Sequence, residues 1–475
     1  MSLSSVLNMA RTAMSAHQTA LQVASQNISN ATTEGYSRQR VELTTSLPTV
    51  FPYGSVGTGV AIQGVTRARD TLLDAAFRQG SAGAFAADTT STALSQIQSV
   101  LGEPSDTGLN AALDAYWSAW SDLAADPTNP AAKSMVRETG NNVANTLNRF
   151  ASQLDQVDQN NRERMNADVA QVNQLTATIA KLNNQIVSAE SSGQSANDLR
   201  DARDNAVDQL SNLVGGQVVE HQNGSLAVYA GGRMLVDDTT VRQLEVADTQ
   251  PPTIGFTDGG PPINGMGGSL GAEITVSSTT IPNVMARLDS LAKGLVEQVN
   301  AIHSAGTVYT GNPPVASPAG NFFDVTTPPP SGTDPRLTAR GIRLDPTLTS
   351  ANVVTAGAGA TGPGNNTAAL AMAALRDSSV GFTSASGGAI STAKFGDFYN
   401  ETVGIVATAT QHADDDATVQ HTLASNADTR RQSVSGVSTD EELIKVIEAQ
   451  HAYQGAARLV SVVDEMMQTL VDLGR

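Results

Sequence analysis

Two groups of residues in this sequence have types and spacings that could do chemistry. The first is Ser269 in "GGSLG" (267–271), which fits the G-x-S-x-G pattern of a nucleophilic serine. That pattern requires a strand that leads into the serine and a helix that follows it directly. Here a loop rich in Pro and Gly precedes the serine, and "AEITV" (272–276) resembles a strand. We therefore interpret Ser269 as a turn residue.

The second group contains two histidines and three aspartates: His412, Asp414, Asp415, Asp416 and His421. On a helix His412 and Asp416 would share a face, but His421 would not align with them. The spacing matches neither a zinc-protease helix nor a calcium loop, and no phosphate-binding or dinucleotide-binding motif is present. We expect a solvated acidic helix face, with no catalytic, metal or cofactor site and no enzymatic activity.

Composition excludes several further classes. The chain has 475 residues, enough for two or three domains, and only 16% are charged and 4% aromatic. The net charge is −18 with no cluster of Lys and Arg, so a nucleic-acid partner is not expected. Cysteine is absent, which excludes disulfides and thiolate sites. Neither a cleavable signal peptide nor a membrane-spanning stretch is visible, so membrane insertion is not expected either.

The first residues predict a helix with one apolar seam. Apolar or packing residues follow one another at alternating steps of four and three: Leu3, Leu7, Ala10, Met14, His17, Leu21, Ala24 and Ile28. This period of 3.5 is that of a coiled coil. Arg11 is the only charged residue as far as Thr33, so we expect protein to pack around most of this helix, where a charge would be costly to desolvate.

The helix runs into "NISNATTEGYSRQRVEL" (27–43). Asn30 or Gly35 can adopt a positive φ and end it, because both residue types tolerate that conformation. "VELTT" (41–45) and "VAIQGVTRA" (60–68) then predict two short strands joined by a turn rich in Pro and Gly.

The C-terminal residues repeat the same pattern. The seam there consists of Val446, Ala449, Tyr453, Ala456, Val460, Val463, Met467 and Leu470. Ser438 or Thr439 would cap the helix, with acidic residues in its first turn. Two such helices fit an antiparallel pair formed by the chain ends. Because a lone helix with one apolar seam is marginal in water, we expect both ends to be disordered in the free molecule and to fold on assembly.

The interior predicts long helices with an insertion of short strands. The expected helices are 88–102, 109–126, 130–149, 150–188, 196–213, 284–302, 367–376 and 395–428. Residues 217–246 contain Asn-Gly and Gly-Gly turns typical of hairpins, a strand is expected near 272–276, and 305–365 is expected to be loop-rich with short strands.

The resulting fold class is mainly α with a β-rich insertion, nested so that the N and C termini lie together. We expect three domains. Residues 1–75 and 431–475 form a terminal coiled-coil domain with linking strands, and 76–215, 281–304 and 366–430 form a helical bundle. An outer domain rich in strands and loops takes 216–280 and 305–365.

Both ends resemble a known family. "SQNISNATTEGYSRQRVEL" is similar to the N-terminal signature of bacterial flagellar axial proteins, and "IEAQHAYQGAARLVSVVDEMMQTLVDL" to their C-terminal signature. Interior stretches such as "GLNAALDAYWSAWSDLAADPTNPAAKSMV" and "GPGNNTAALAMAALRD" resemble one branch, the hook-associated protein 1 family. The resemblance is weakest over 305–365, and Glu34 stands where the family often has a small residue or Pro.

The resemblance implies a structural protein that forms a ring at the distal end of the flagellar hook and joins it to the filament. It implies a secreted, extracellular location, unfolded passage through the type III export apparatus, and an export chaperone that holds the C-terminal helix. The implied neighbours are other copies of the chain, the hook protein and the second junction protein. Another axial protein, such as a hook protein, is the alternative; it would polymerise indefinitely.

The expected assembly residues lie in three groups. The N-terminal seam is Leu3, Leu7, Met14, Leu21 and Ile28; the turn motif is Asn27, Asn30, Gly35, Tyr36, Ser37 and Arg38; the C-terminal seam and expected chaperone contact is Val446, Tyr453, Val460, Val463, Met467 and Leu470. We expect Tyr36 and Arg38 to contact a neighbouring subunit.

Overall fold

A computed structural model describes residues 3–51, 54–103, 105–191, 193–311, 314–325, 337–384 and 388–473. It is mainly helical. The α-helices are α1 (Leu3–Ser29), α2 (Thr71–Leu101), α3 (Leu109–Ala125), α4 (Pro130–Glu190), α5 (Asn197–Val214), α6 (Gly268–Thr275), α7 (Ile281–Ala305), α8 (Thr367–Ala374), α9 (Phe395–Ser435) and α10 (Thr439–Leu473). A π-helical turn, Val276–Thr280, joins α6 to α7.

The strands form small antiparallel sheets. Their bounds are β1 (Gln39–Thr45), β2 (Thr49–Phe51), β3 (Gly54–Val56), β4 (Val60–Arg67), β5 (Gln217–Glu220), β6 (Leu226–Ala230), β7 (Arg233–Asp237), β8 (Thr240–Val241), β9 (Leu244–Ala247), β10 (Thr253–Phe256), β11 (Thr307–Thr310), β12 (Val315–Pro318), β13 (Val380–Thr383) and β14 (Ala389–Ala393). The largest sheet has the order β5-β6-β7-β8; the others are pairs, β1 with β4, β2 with β3, β9 with β10, β11 with β12 and β13 with β14.

Local sequence signals explain where the central helices begin and end. Asp70 caps α2 by accepting hydrogen bonds from the backbone N–H groups of Leu72 and Leu73, and Gly102 ends that helix with a φ of 55°. At α4 the Asn129 side chain is the cap and Pro130 occupies the first turn, where its missing N–H costs nothing.

Two hydrophobic cores lie along the 61-residue helix α4. The first core surrounds Trp117 and Trp120 of α3 and contains residues of α4 from Val136 to Val157. The second core lies between α4 from Met165 onward, α5 and the β5–β8 sheet. Neither core contains a residue of α1 or α10. The apolar packing of the terminal helices is therefore separate from that of the body of the molecule.

The structure corrects several expected elements. Residues 272–276 are not a strand, since α6 spans 268–275 with Leu270, Ala272 and Glu273 buried; a short apolar run does not distinguish strand from helix. The helices expected at 130–149 and 150–188 are one helix, α4. Helix α2 begins at Thr71, before the expected 88, because its Ala- and Gly-rich first half lacks a clear apolar period.

Other expectations are confirmed, including the helix over 109–126, the hairpins of 217–246 and the strand pair that follows α1. The expected outer segment 216–280 contains helix α6 as well as strands. Part of the segment 305–365 lies outside the described residues; where described, it holds β11, β12 and a short 3₁₀ turn.

Candidate assembly site

Helices α1 and α10 pack against each other, and α1 also contacts the β1–β4 pair. The end of α1 lies at the beginning of α10, where Asn27 bonds to Glu442. The structure thus describes both chain ends as helices in mutual contact, whereas disorder was expected in the free molecule. The buried positions of α10 recur every seven residues, at Glu442, Ala449, Ala456 and Val463.

The contact face of α1 differs from the expected seam. Its buried residues are Ala10, Ala16, Val23, Ala24 and Asn27. The large seam residues are not buried: Leu7 is 42% exposed, and Leu3, Met14, Leu21 and Ile28 are half-buried. Small side chains allow close approach of the two helices, so they form the contact within one chain. The larger seam residues remain available to other protein surfaces.

The residues of the C-terminal seam also differ in how far they are buried. Val463 is buried, Val446, Tyr453 and Val460 are half-buried, and Met467 and Leu470 are about half exposed. Further large apolar residues of α10 are exposed as well. We define the apolar surface of α10 as Leu443, Ile444, Ile447, Leu459, Val462, Met466, Met467, Leu470, Val471 and Leu473. Many exposed large apolar residues on one helix are typical of a surface that packs against protein.

Asn27 connects α1, β1 and α10 through a fully buried side chain. Its Nδ2 donates to the carbonyl of Gln39 (2.8 Å) and to Oε2 of Glu442 (2.9 Å). Its Oδ1 accepts from the backbone N–H of Gln39 (2.9 Å) and the hydroxyl of Tyr36 (2.8 Å). We call this group of residues the Asn27 junction. Both N–H groups and both acceptor positions of the amide are therefore used.

The tyrosine of the Asn27 junction is held in its neutral form. Burial, together with the charges of Asp198, Asp201 and Glu442, raises the pKa of Tyr36 to about 12. Its hydroxyl therefore keeps the proton that it donates to Asn27 across the physiological range.

The rest of the turn motif joins the terminal helices to the body. Gly35 has a φ of 79°, and a Cβ there would lie 3.2 Å from Asn205 of α5. Helix α1 ends earlier, at Ser29, so this glycine shapes the turn after the helix and does not end the helix as expected. Ser37 donates to Asp201 of α5 through its backbone N–H (3.0 Å) and its hydroxyl (2.7 Å). Among the residues that the structure describes, Asn30 bonds only to Gln26 and Thr33, near its own helix end.

Arg38 bonds to Glu441 of α10 (3.1 Å), and its backbone N–H donates to the carbonyl of Ser435 at the end of α9. Tyr36 and Arg38 therefore have partners within the chain. Their expected contact with a neighbouring subunit stays a prediction.

A group of ion pairs beneath this turn was missed by the sequence reasoning. Arg67 bonds to Asp201 (2.7 Å) and Asp204 (2.8 Å) of α5, and Arg69 bonds to Asp204 (3.0 Å) and Asp74 of α2 (2.8 Å). These side chains are at most 12% exposed. The available signal was the spacing of Asp201, Asp204 and Asp208, which share one face of a helix.

The residues first considered as catalytic or metal-binding candidates bond to other helices of the same chain. Ser269, which we interpreted as a turn residue, lies instead within helix α6 and donates to Asp168 of α4 (2.6 Å). His421 pairs with Asp88 of α2 (2.8 Å), and Asp414 accepts a hydrogen bond from Ser91, so both connect α9 to α2. Within the described ranges, no three His, Cys, Asp or Glu side chains are grouped to hold a metal ion. No described helix is both long and apolar enough to cross a bilayer.

Comparisons with models of known protein families identify the general class of this protein. Residues 7–36 match the family model "Flagella basal body rod protein", and residues 430–473 match "Flagellar basal body rod FlgEFG protein C-terminal". With the paired terminal helices, these matches define a structural protein of the bacterial flagellum. Residues 94–323 match "Flagellar hook-associated protein FlgK helical domain".

Relatives give the family. Flagellar hook-associated protein 1 of Bacillus subtilis is 30% identical over 510 aligned positions, which cover 98% of this chain and 97% of the relative. The Salmonella typhimurium protein of the same name is 28% identical over 69% of this chain and 60% of its own length. The chain belongs to the flagellar hook-associated protein 1 family.

A solved structure shows the same fold. The flagellar hook junction protein FlgK from Burkholderia pseudomallei matches with a TM-score of 0.60 over 77% of this chain and all of that chain, at 18% identity. This match confirms the mainly helical fold, and the relatives confirm the expected family.

We predict that α1 and α10 exchange their backbone amide hydrogens faster than α4 and α7 in the free protein. The terminal pair buries mainly Ala and Val and lies outside both cores, so it opens at a lower free energy than the body. Hydrogen exchange followed by mass spectrometry measures this directly. Equal protection of the terminal and central helices would contradict it.

Proposed function

We propose that this chain forms the ring that joins the flagellar hook to the filament. The observation that carries the proposal is the apolar surface of α10, on a helix that belongs to neither core. Burial of a large apolar side chain contributes about 1.5–3 kcal/mol, so contacts with several neighbours would stabilise an assembly. We propose that α1 and α10 act in it as an antiparallel coiled coil.

We propose a domain arrangement in which the two ends of the chain together form one domain. Residues 1–75 and 431–475 form the axial part, the helical bundle lies next to it, and the segments 216–280 and 305–365 face outward. The Asn27 junction supports this arrangement because it joins the two terminal segments to each other. The ion pairs of Arg67 and Arg69 support it because they connect the axial part to α5 and α2. The role is structural, without catalysis.

The partners in this proposal are further copies of the chain, the hook protein and the second junction protein. Before export the same apolar surface of α10 would be covered by a chaperone, since an exposed apolar helix promotes aggregation. The protein would reach the extracellular flagellum through the type III export apparatus. The match of residues 94–323 to a hook-associated helical domain favours this role over that of a hook protein.

Deletion of the gene tests the proposal. We expect electron micrographs of the deletion strain to show hooks without attached filaments, and we expect the full chain supplied in trans to restore filaments and motility. Filaments of normal length on the deletion strain would contradict the role at the junction. Indefinite tubes formed by the purified chain would support the hook-protein alternative instead.

A further inference from the structure

His303 lies in the last turn of α7 and is completely buried. Its Nδ1 lies 2.6 Å from the carbonyl oxygen of Gly320, so this nitrogen carries the ring proton and donates it. Its Nε2 accepts a hydrogen bond of 3.3 Å from the backbone N–H of Val354. Both bonds are made together only by the neutral ring with its proton on Nδ1.

Through these bonds His303 connects the end of α7 to two segments that are distant from each other in the chain, 319–324 and 350–356. Asn300, one turn earlier on α7, also holds the first segment, since its side chain makes three hydrogen bonds of 2.9 Å to the backbone there. The His303 ring packs edge-to-face on Phe322, with 5.5 Å between the ring centroids. The last turn of α7 is therefore the support on which both segments rest.

Protonation of His303 would break the contact with the second segment. Nε2 would then carry a hydrogen that points at the N–H of Val354, and two donors cannot bond to each other. The added charge would lie on a ring that is 0% exposed, and a buried charge without a partner is costly. Burial accordingly lowers the pKa of His303 from its usual 6.5 to about 4, although the bond to Gly320 and the charge of Asp345 act in the opposite direction.

The other titratable groups of the elements around His303 differ in their response to pH. Asp324 forms an ion pair with Arg343 at 2.7 Å. Tyr116 of α3, which packs on the same aromatic group, keeps its proton because burial raises its pKa. Burial also raises the pKa of Asp289 on α7, which accepts a hydrogen bond of 2.8 Å from a backbone N–H. Asp289 can therefore titrate as the pH falls, and an experiment must separate it from His303.

We propose that neutral His303 holds the segments 319–324 and 350–356 on the end of α7 and that protonation of its ring releases them. Because the pKa of the ring is lower in the closed form than in the released form, this stabilisation is complete above pH 6.5 and is lost as the pH falls towards 4. From pH 7.5 to pH 5 the opening equilibrium of the two segments should rise on the order of 30-fold. The inference does not depend on the flagellar role.

Hydrogen exchange of the full chain at pH 7.5 and at pH 5 tests the proposal. Each rate is divided by the rate of an unstructured peptide at the same pH, which removes the intrinsic pH dependence of exchange. We expect the protection of peptides that cover the two segments to fall on the order of 30-fold on acidification, and that of α4 to change by less than about twofold.

His303→Gln separates the histidine from the carboxyl groups. Glutamine keeps one donor and one acceptor but cannot become charged, and Asp289 is unchanged in this variant. We expect the two segments of His303→Gln to exchange at corrected rates that are the same at both pH values. His412→Gln is the matched control, since His412 is exposed on α9, and it should respond to pH as the wild type does.

Three results would overturn the proposal. One is wild-type protection of the two segments that is equal at pH 7.5 and pH 5, a measurement that stands even if His303→Gln does not fold. Another is a fall of equal size in the wild type and in His303→Gln, because a carboxyl group such as Asp289 would then be the cause. The third is a fall of equal size in α4, which would show that the whole molecule opens in acid.

Discussion

Replacing Met467 and Leu470 together with Asp is expected to abolish incorporation into the flagellum and leave the free protein as stable as the wild type. Met467 is 49% exposed and Leu470 is 56% exposed, so neither substitution removes a fully buried side chain from the packing within the chain. Substitutions at exposed positions usually change the free energy of unfolding by no more than about 0.5 kcal/mol. In an assembly both side chains would be buried, and a buried unpaired carboxylate is far more costly than that.

The choice of these two positions separates assembly from folding. Val463, another member of the C-terminal seam, is 5% exposed inside the contact with α1, so Val463→Asp would disrupt the terminal pair itself. A loss of motility in that variant would not show which step had failed. Met467 and Leu470 avoid this ambiguity.

Three measurements check the result: the Tm of the purified variant, its amount in isolated hook–filament fractions, and motility. Gln468→Asp is the control, since it adds a negative charge at an exposed polar position between the two. The double variant should fail to assemble while the control assembles. Normal filaments and swimming in the double variant would show that the apolar surface of α10 has no role in assembly.

The sequence predicted which segments form terminal helices but not which side of each helix makes the contact within the chain. A period of 3.5 identifies a seam, and the seam of α1 includes Leu7 and Leu21 as well as Ala10 and Ala24. The structure buries the alanines and leaves Leu7 exposed. The reason is that a single helix sequence does not specify its partners, and a protein built for assembly has more than one contact face.

Boundaries followed from local chemistry where a local signal existed. Gly35 has the positive φ that its position predicted, and the hydroxyl of Ser438 accepts a weak bond (3.4 Å) from the backbone N–H of Glu441 in the first turn of α10. Residues 272–276 were misassigned because five residues do not reveal a period. Asn27 was included for its place in the motif, but its bond to Glu442 joins residues 415 positions apart. A local sequence pattern does not predict a contact between residues so far apart in the chain.

Asn27→Ala is expected to destabilise the contact between the two terminal helices. The substitution removes four hydrogen bonds and leaves the backbone N–H and carbonyl of Gln39, the Tyr36 hydroxyl and one oxygen of Glu442 without this partner. Since Glu442 is 1% exposed, water does not easily replace the amide. Each buried group left unpaired costs about 1–3 kcal/mol, so we expect a local loss of several kcal/mol.

This loss should stay in the terminal helices, because neither core contains a residue of α1 or α10. We expect hydrogen exchange of α1 and α10 to become at least tenfold faster, with the protection of α4 and α7 unchanged. Asn30→Ala is the matched control: it removes the same group three residues later, where the amide is half-buried and bonds near its own helix end. Unchanged exchange of α10 in Asn27→Ala would show that the Asn27 junction does not hold the chain ends together.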